Sequence, residues 1–227
     1  MKRFVLIAVT LFMVNSALGQ NLQLHYDLGE DRNYLTTTFE MFKPDEYGAT
    51  FWFIDMDYDR EQEDAHRSMS LSYVEIARYI NLPFSENLSF TVQYNDGMLR
   101  LQNNIDVPLG PIWLVGASYP IDLGFITLQT DLLYRWDYSS DAPDAQMTFV
   151  WFKPFMEGKI TFMGFLDIWS HDKPMEDGKQ LVLLTEPQIW YNVNKHLGIG
   201  GEIEISDNFL PSNDFKIMPT LGVKWTF

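Results

Sequence analysis

The feature that most limits what this chain can become is an alternation of apolar and polar residues with a period of two. It recurs in segment after segment up to the final residue. Between Phe125 and Asp137, Ile126, Leu128, Thr130, Leu132, Tyr134 and Trp136 share one face, while Thr127, Gln129, Asp131, Arg135 and Asp137 share the other. Leu197, Ile199, Ile203 and Ile205 oppose Glu202, Glu204 and Ser206. Phe215, Ile217, Leu221, Val223, Trp225 and Phe227 oppose Lys216, Thr220, Lys224 and Thr226. Successive side chains of a strand point to opposite faces, so the pattern is that of half-buried strands and not of helices. A soluble sheet with one wet face alternates in the same way. The segment lengths, the start of the chain and the aromatic Phe227 closing the last amphipathic strand favour an outer-membrane barrel, whose apolar face meets lipid.

The start of the chain has the three parts of a secretory signal. Lys2 and Arg3 are followed by Phe4 to Val14, apolar apart from Thr10, and then by Ala17-Leu18-Gly19 with its small residues. The expected cut follows Gly19, which makes 1–19 a signal peptide and 20–227 a single barrel domain. A membrane anchor would need roughly 20 apolar residues, about twice this run. The chain has no cysteine, which excludes a lipid-anchored lipoprotein, disulfides and thiolate chemistry. Its 17 Phe, 11 Tyr and 7 Trp exceed what one soluble core of this size would hide, and a barrel spreads such rings over its outside and its interfacial girdles. Without Lys2 and Arg3, 14 basic residues remain against 31 acidic ones, a net charge near −17 that argues against nucleic-acid binding.

The alternation divides the mature chain into twelve predicted strands, at 20–28, 33–42, 49–58, 68–80, 87–95, 112–119, 124–136, 145–155, 158–169, 180–191, 197–206 and 215–227. Connections alternate between compact turns and mostly longer loops, the long ones at 59–67, 96–111, 137–144, 170–179 and 207–214; only the first outside connection, Gly29 to Arg32, is short. Short periplasmic turns and long outside loops are the rhythm of an antiparallel, up-and-down transmembrane β-barrel. The predicted sixth strand is the exception to the polar-in rule, because it places Trp113, Val115 and Tyr119 on the lumenal side.

The polar faces line the interior. The candidate solute-binding residues are Tyr34 and Glu40, then Phe51, Phe53, Asp55, Asp57 and Glu75, then Asp131 and Arg135, and finally Glu186, Gln188 and Trp190. Aromatic rings stack on flat solutes and carboxylates accept from hydroxyl and amino donors, so this mixture suits a small, flat, uncharged, hydrogen-bonding solute. Acid–base ladders that merely stiffen the wall are the structural alternative for each residue. Because carboxylates outnumber bases in the lumen, such a pore disfavours anions.

Catalysis is not the expected role. His66 and His171 fall in predicted outside loops and His196 in a turn; His25 shares no strand with a serine. Ser170, His171 and Asp172 are adjacent, and neighbours on a strand point apart. The acidic run Asp57 to Asp64 lacks the glycine of an EF-hand and reads as a solvated loop, so no metal or cofactor is expected. The expected partners are outer-membrane lipid and a small polar solute. The sequence does not set an oligomeric state.

Four segments, in order, resemble the nucleoside-specific Tsx-like channels of bacterial outer membranes. They are Leu22-Gln23-Leu24-His25-Tyr26-Asp27, Tyr34-Leu35-Thr36-Thr37-Thr38-Phe39-Glu40, Phe51-Trp52-Phe53-Ile54-Asp55-Met56-Asp57 and Glu186-Pro187-Gln188-Ile189-Trp190-Tyr191-Asn192. The chain looks like a domain-of-unknown-function branch of that family. The resemblance implies a twelve-stranded barrel that passes nucleosides and binds them in its lumen. A structural or partner-binding barrel without transport is the alternative, and a barrel enzyme acting on envelope lipid is a third reading.

Overall fold

The computed structural model describes residues 19–30, 32–58, 69–101, 105–173, 176–209 and 214–227. Its strands are β1 (Gly19–Asp27), β2 (Leu35–Asp45), β3 (Gly48–Tyr58), β4 (Leu71–Asn81), β5 (Ser89–Leu101), β6 (Ile105–Pro108) and β7 (Ile112–Asp122). They continue as β8 (Thr127–Asp137), β9 (Asp144–Phe155), β10 (Ile160–Asp172), β11 (Lys179–Thr185), β12 (Gln188–Asn192), β13 (Leu197–Asp207) and β14 (Lys216–Thr226). All pairings are antiparallel, mostly between neighbours in the chain, with β5–β7, β10–β12 and β11–β13 as the exceptions, and β14 returns to pair with β1 over Asn21–Asp27. β6 lies off the ring as the second arm of a hairpin with β5, and β11 and β12 are two halves of one wall strand against β10. Twelve strands therefore close the barrel, and closure satisfies backbone groups that an open edge would leave unpaired in lipid.

The faces are inverted relative to a soluble protein. On β8, Leu132 and Tyr134 are 64% and 56% exposed on the outside, while Asp131, next to Leu132, is fully buried inside. An apolar exterior wrapped around a closed, polar-lined ring places the chain in the outer membrane of a Gram-negative bacterium. One end carries the tight connections, such as Asp45 to Gly48, Asp122 to Thr127 and the turn at Met156–Gly158, where Glu157 sits at φ 57°. The other end carries the longer loops, so the tight end is periplasmic.

Four expectations need correction. Trp113, Val115 and Tyr119 face lipid, not the lumen, and Ile112, Leu114 and Ser118 point inward. The cause is register. β7 aligns Ile112 with Asn95, Leu114 with Gln93 and Arg135, and Ser118 with Asp131, so the inward face follows its polar neighbours even where it is apolar itself. Ile112, Leu114 and Leu133 pack together as a small apolar cluster, and outside them the Tyr94 and Trp113 rings meet at 4.7 Å. Second, the expected loop at 96–111 is largely strand, because Met98–Leu101 pair with Ile105–Pro108. Third, the expected strand at 180–191 is broken at Glu186-Pro187, since proline supplies no N–H to the ladder. Fourth, Tyr34 precedes β2, although its carbonyl still accepts from the Asp27 N–H at 3.0 Å. Most of the acidic run, with His66, lies outside the described residues.

Candidate functional site

Register assembles the inner wall. Thr38 aligns with Asp55 and Asp55 with Tyr73; Glu40 aligns with Phe53 and Phe53 with Glu75. Phe51, Phe53, Asp55, Asp57 and Glu75 thus share one patch of lumenal surface. The Phe51 and Phe53 rings lie 5.9 Å apart and Phe53 and Tyr73 6.1 Å apart, an aromatic face interleaved with carboxylates. Tyr73 Oη donates to Glu75 at 2.8 Å, and Asn95 Nδ2 donates to the same oxygen at 2.8 Å. Thr36 donates to Asp57 at 2.7 Å, and Asn21 donates to Glu40.

Other candidate residues are held within the wall. Asp131 has no exposed surface and accepts from Ser118, from Tyr79 at 3.0 Å and from Gln93 at 2.9 Å. Arg135 donates to Gln146 at 2.8 Å and to Asp137 at 3.1 Å, and its guanidinium lies 5.2 Å from the Trp169 ring centre. Trp190 is also fully buried. Its Nε1 donates to Gln188 at 2.9 Å, Lys224 Nζ lies 4.3 Å from its ring centre, and His25 meets it edge-on at 5.6 Å. Gln188 donates in turn to Glu202 at 2.8 Å. The geometry therefore separates residues with free lumenal surface from residues that brace the wall.

Two inward-reaching loop residues had no sequence signal. Arg32 forks onto Glu204 at 2.7 and 3.2 Å and reaches Asp27 at 3.2 Å. Phe209, between β13 and β14, packs edge-on against Trp169 at 5.9 Å. Both sit at the outer end of the barrel. Periodicity says nothing about loops, and only the lack of another base near Asp27 and Glu204 could have pointed to Arg32.

Among the described residues, no lysine or arginine comes within ion-pair distance of Asp55, Glu75, Asp131, Asp167, Glu186 or Glu202. No cluster of three or more metal-ligating side chains is present among them either. Ser170 donates to Asp144 at 2.6 Å and Asp172 pairs with Lys179 at 2.6 Å, while His171 Nδ1 has no partner, so these three neighbours do not form a relay. The cavity lined by Ile160, Ile189, Tyr191 and Ile199 opens on the lipid side and is no part of the lumen.

Solved structures share this architecture. A structure titled NanC porin superposes with a TM-score of 0.57 at 10% identity, covering 92% of this chain and all of that one. One titled KdgM porin superposes with a TM-score of 0.50 at 7% identity, covering 92% and 98%. At such identities the likeness speaks for the fold. No curated protein matches the chain. A family profile, by contrast, matches residues 19–227, nearly the whole described structure, and the chain thereby belongs to the family described as Domain of unknown function (DUF5020).

Proposed function

We propose that this barrel is a passive outer-membrane channel for small polar solutes, with nucleosides as the leading class. The observation that carries the reading is the lumenal patch in which Phe51, Phe53 and Tyr73 alternate with Asp55 and Glu75. Rings stack on a base at roughly 1–3 kcal/mol each, and carboxylates accept from amino and hydroxyl groups. Weak sites of this kind slow a solute without trapping it. The two superposable structures are titled porins, which supports passage of solutes as the role of a barrel this size. The ordered segments that resemble the Tsx-like channels support the nucleoside choice. Solute contact is assigned to the patch and to Glu186. Asp131, Arg135, Gln188 and Trp190 serve by holding the wall.

The test is single-channel conductance of the refolded mature protein in planar bilayers, titrated with adenosine and thymidine. Saturable block by nucleosides, absent with glucose or phosphate and lost in Phe53→Ala, is the expected result. Open conductance that nucleosides never block would remove the substrate. Absence of conductance would move the protein to the binding or structural class.

A further inference from the structure

The carboxylates without cation partners are not spread evenly. Glu186 sits at the break between β11 and β12, where the chain turns its backbone away from regular pairing. β10 passes this break closely. Gly164 lies opposite at φ 150°, and a Cβ there would come within 2.4 Å of the Glu186 carbonyl and 3.0 Å of Pro187 Cα. Among the described residues nothing donates a hydrogen bond to the Glu186 carboxylate. Around the ring, β4 is six strands from this position in either direction, so the strand that carries Glu75 forms the opposite wall. Asp55, aligned with Tyr73, shares that far wall, and Glu202, aligned with Gln188, lies beside Glu186 on the near one. Carboxylates therefore edge the lumen from both walls.

A second, independent feature shows what is missing there. Asn95 is 4% exposed and uses its amide N–H groups on Glu75 and on Tyr73 at 3.1 Å, while its Oδ1 is buried with no hydrogen-bond partner. Asp55 Oδ1 is likewise buried and unpartnered. A buried acceptor left without a donor costs about 1–3 kcal/mol, more for a charged one. The site thus presents more acceptors than donors, and among the described residues none of these carboxylates is ion-paired with a lysine or arginine.

We propose that Glu186, Asp55, Glu75 and Glu202 form a filter for small monovalent cations, whether potassium or a primary ammonium. The side chains are too dispersed to strip and hold a bare divalent ion, in keeping with the absence of a metal-ligating cluster among the described residues. Cations cross with most of their water, drawn by the summed charge and released because no carboxylate closes around them. Anions meet carboxyl oxygens on both walls and, among the described residues, no lysine or arginine ion-paired with them. This inference rests on the channel reading and is independent of the nucleoside choice.

The test is the reversal potential across a planar bilayer holding the full mature barrel, with a potassium chloride gradient between the chambers. The wild type is expected to pass potassium several-fold better than chloride. Glu186→Gln should bring that ratio down towards one, and Asp55→Asn, on another strand, should do the same if Glu186→Gln fails to fold. Asp122→Asn, at a periplasmic turn, should leave it unchanged. Equal or chloride-favouring permeability in the wild type overturns the filter, as does an unaltered ratio in a conducting Glu186→Gln barrel. Adding adenosine in the same membranes separates the readings. Cation preference without nucleoside block supports the filter and removes the nucleoside; no conductance at all overturns the channel and the filter together. Substituting methylammonium for potassium then reads whether the ammonium ion is carried as the metal ion is.

Discussion

Asp131 offers the sharpest test of how the wall is built. It has no exposed surface, no cation partner, and three donors: Ser118 on one carboxylate oxygen, Tyr79 and Gln93 on the other. Two replacements separate its charge from its geometry. Asp131→Ala removes the acceptor from all three. Gln93 keeps Thr91 at 3.3 Å and Ser118 keeps the amide of Gln129 at 2.6 Å, but Tyr79 loses its acceptor outright. With one donor stranded and two half-satisfied, at about 1–3 kcal/mol for each unsatisfied group, the expected loss is about 2–4 kcal/mol. Asp131→Asn behaves differently. Its carbonyl can still serve Tyr79 and Gln93, and its NH2 can donate to the Ser118 hydroxyl oxygen. The bonds weaken from charge-assisted to neutral, by about 1 kcal/mol each, but the uncompensated burial of an anion disappears. The net expected loss is about 0–2 kcal/mol, so alanine should cost about 2 kcal/mol more than asparagine. Equilibrium urea unfolding in lipid vesicles, followed by tryptophan emission, measures both. Asparagine as costly as alanine would refute the reasoning, because the charge and not the acceptor geometry would then hold the site.

The remaining predictions concern other levels of the structure. Arg32→Gln removes the fork onto Glu204 and the contact to Asp27; with Arg32 27% exposed, the expected loss in the same urea assay is about 1–3 kcal/mol, and no loss would mean the loop is not tied down. Leu132→Arg, in the middle of β8 on the outer face, should cost about 2–4 kcal/mol in vesicles, whereas a change under about 0.5 kcal/mol would put that face in water. In the β5–β6 hairpin, the Arg100 guanidinium holds the Asp106 carboxyl below the usual carboxylate range. The pair therefore supports the hairpin above the ordinary carboxylate pKa and is lost as pH falls through the lowered one; carbon NMR should show Asp106 titrating higher in Arg100→Gln, and identical titrations would reject the pairing. Mass spectrometry of the exported protein should find Gln20 as the first residue, and retention of residues 1–19 would reject the signal peptide.

The fold was legible because most strands obey one rule. On β1, Leu22, Leu24 and Tyr26 face out, and Gln23, His25 and Asp27 face in. The strand count and the lumenal grouping of Phe51, Phe53, Asp55 and Asp57 followed from the same rule. β7 defeated it because Ile112 and Leu114 are apolar yet inward, packed on Leu133, while Trp113 and Tyr119 belong to the lipid face. Polarity assigns a face only where the lumen is wet; where it is packed, register with Asn95, Gln93 and Arg135 decides. The break at Glu186-Pro187 carried a signal, the proline, that alternation on either side outweighed. Arg32 and Phe209 reach inward from loops, and no local pattern encodes where a loop folds.

The division among the acidic residues explains how one lumen can be both braced and permissive. A carboxylate that accepts from several donors, as Asp131 does, or forks with a guanidinium, as Glu204 does, is fixed and contributes rigidity. A carboxylate without donors, as Glu186 is, must be stabilised by water or by whatever passes. The first kind lies where β8, β5 and β4 are cross-tied, and at the outer end beneath Arg32. The second kind lies at the Glu186-Pro187 break between β11 and β12, against Gly164. Neutralising a fixed carboxylate should therefore change stability with little effect on ion preference, and neutralising Glu186 should change ion preference with little effect on stability. A Glu186→Gln barrel that unfolds in as little urea as Asp131→Ala would show that the two kinds are one, and that the acidity of the lumen serves the wall alone.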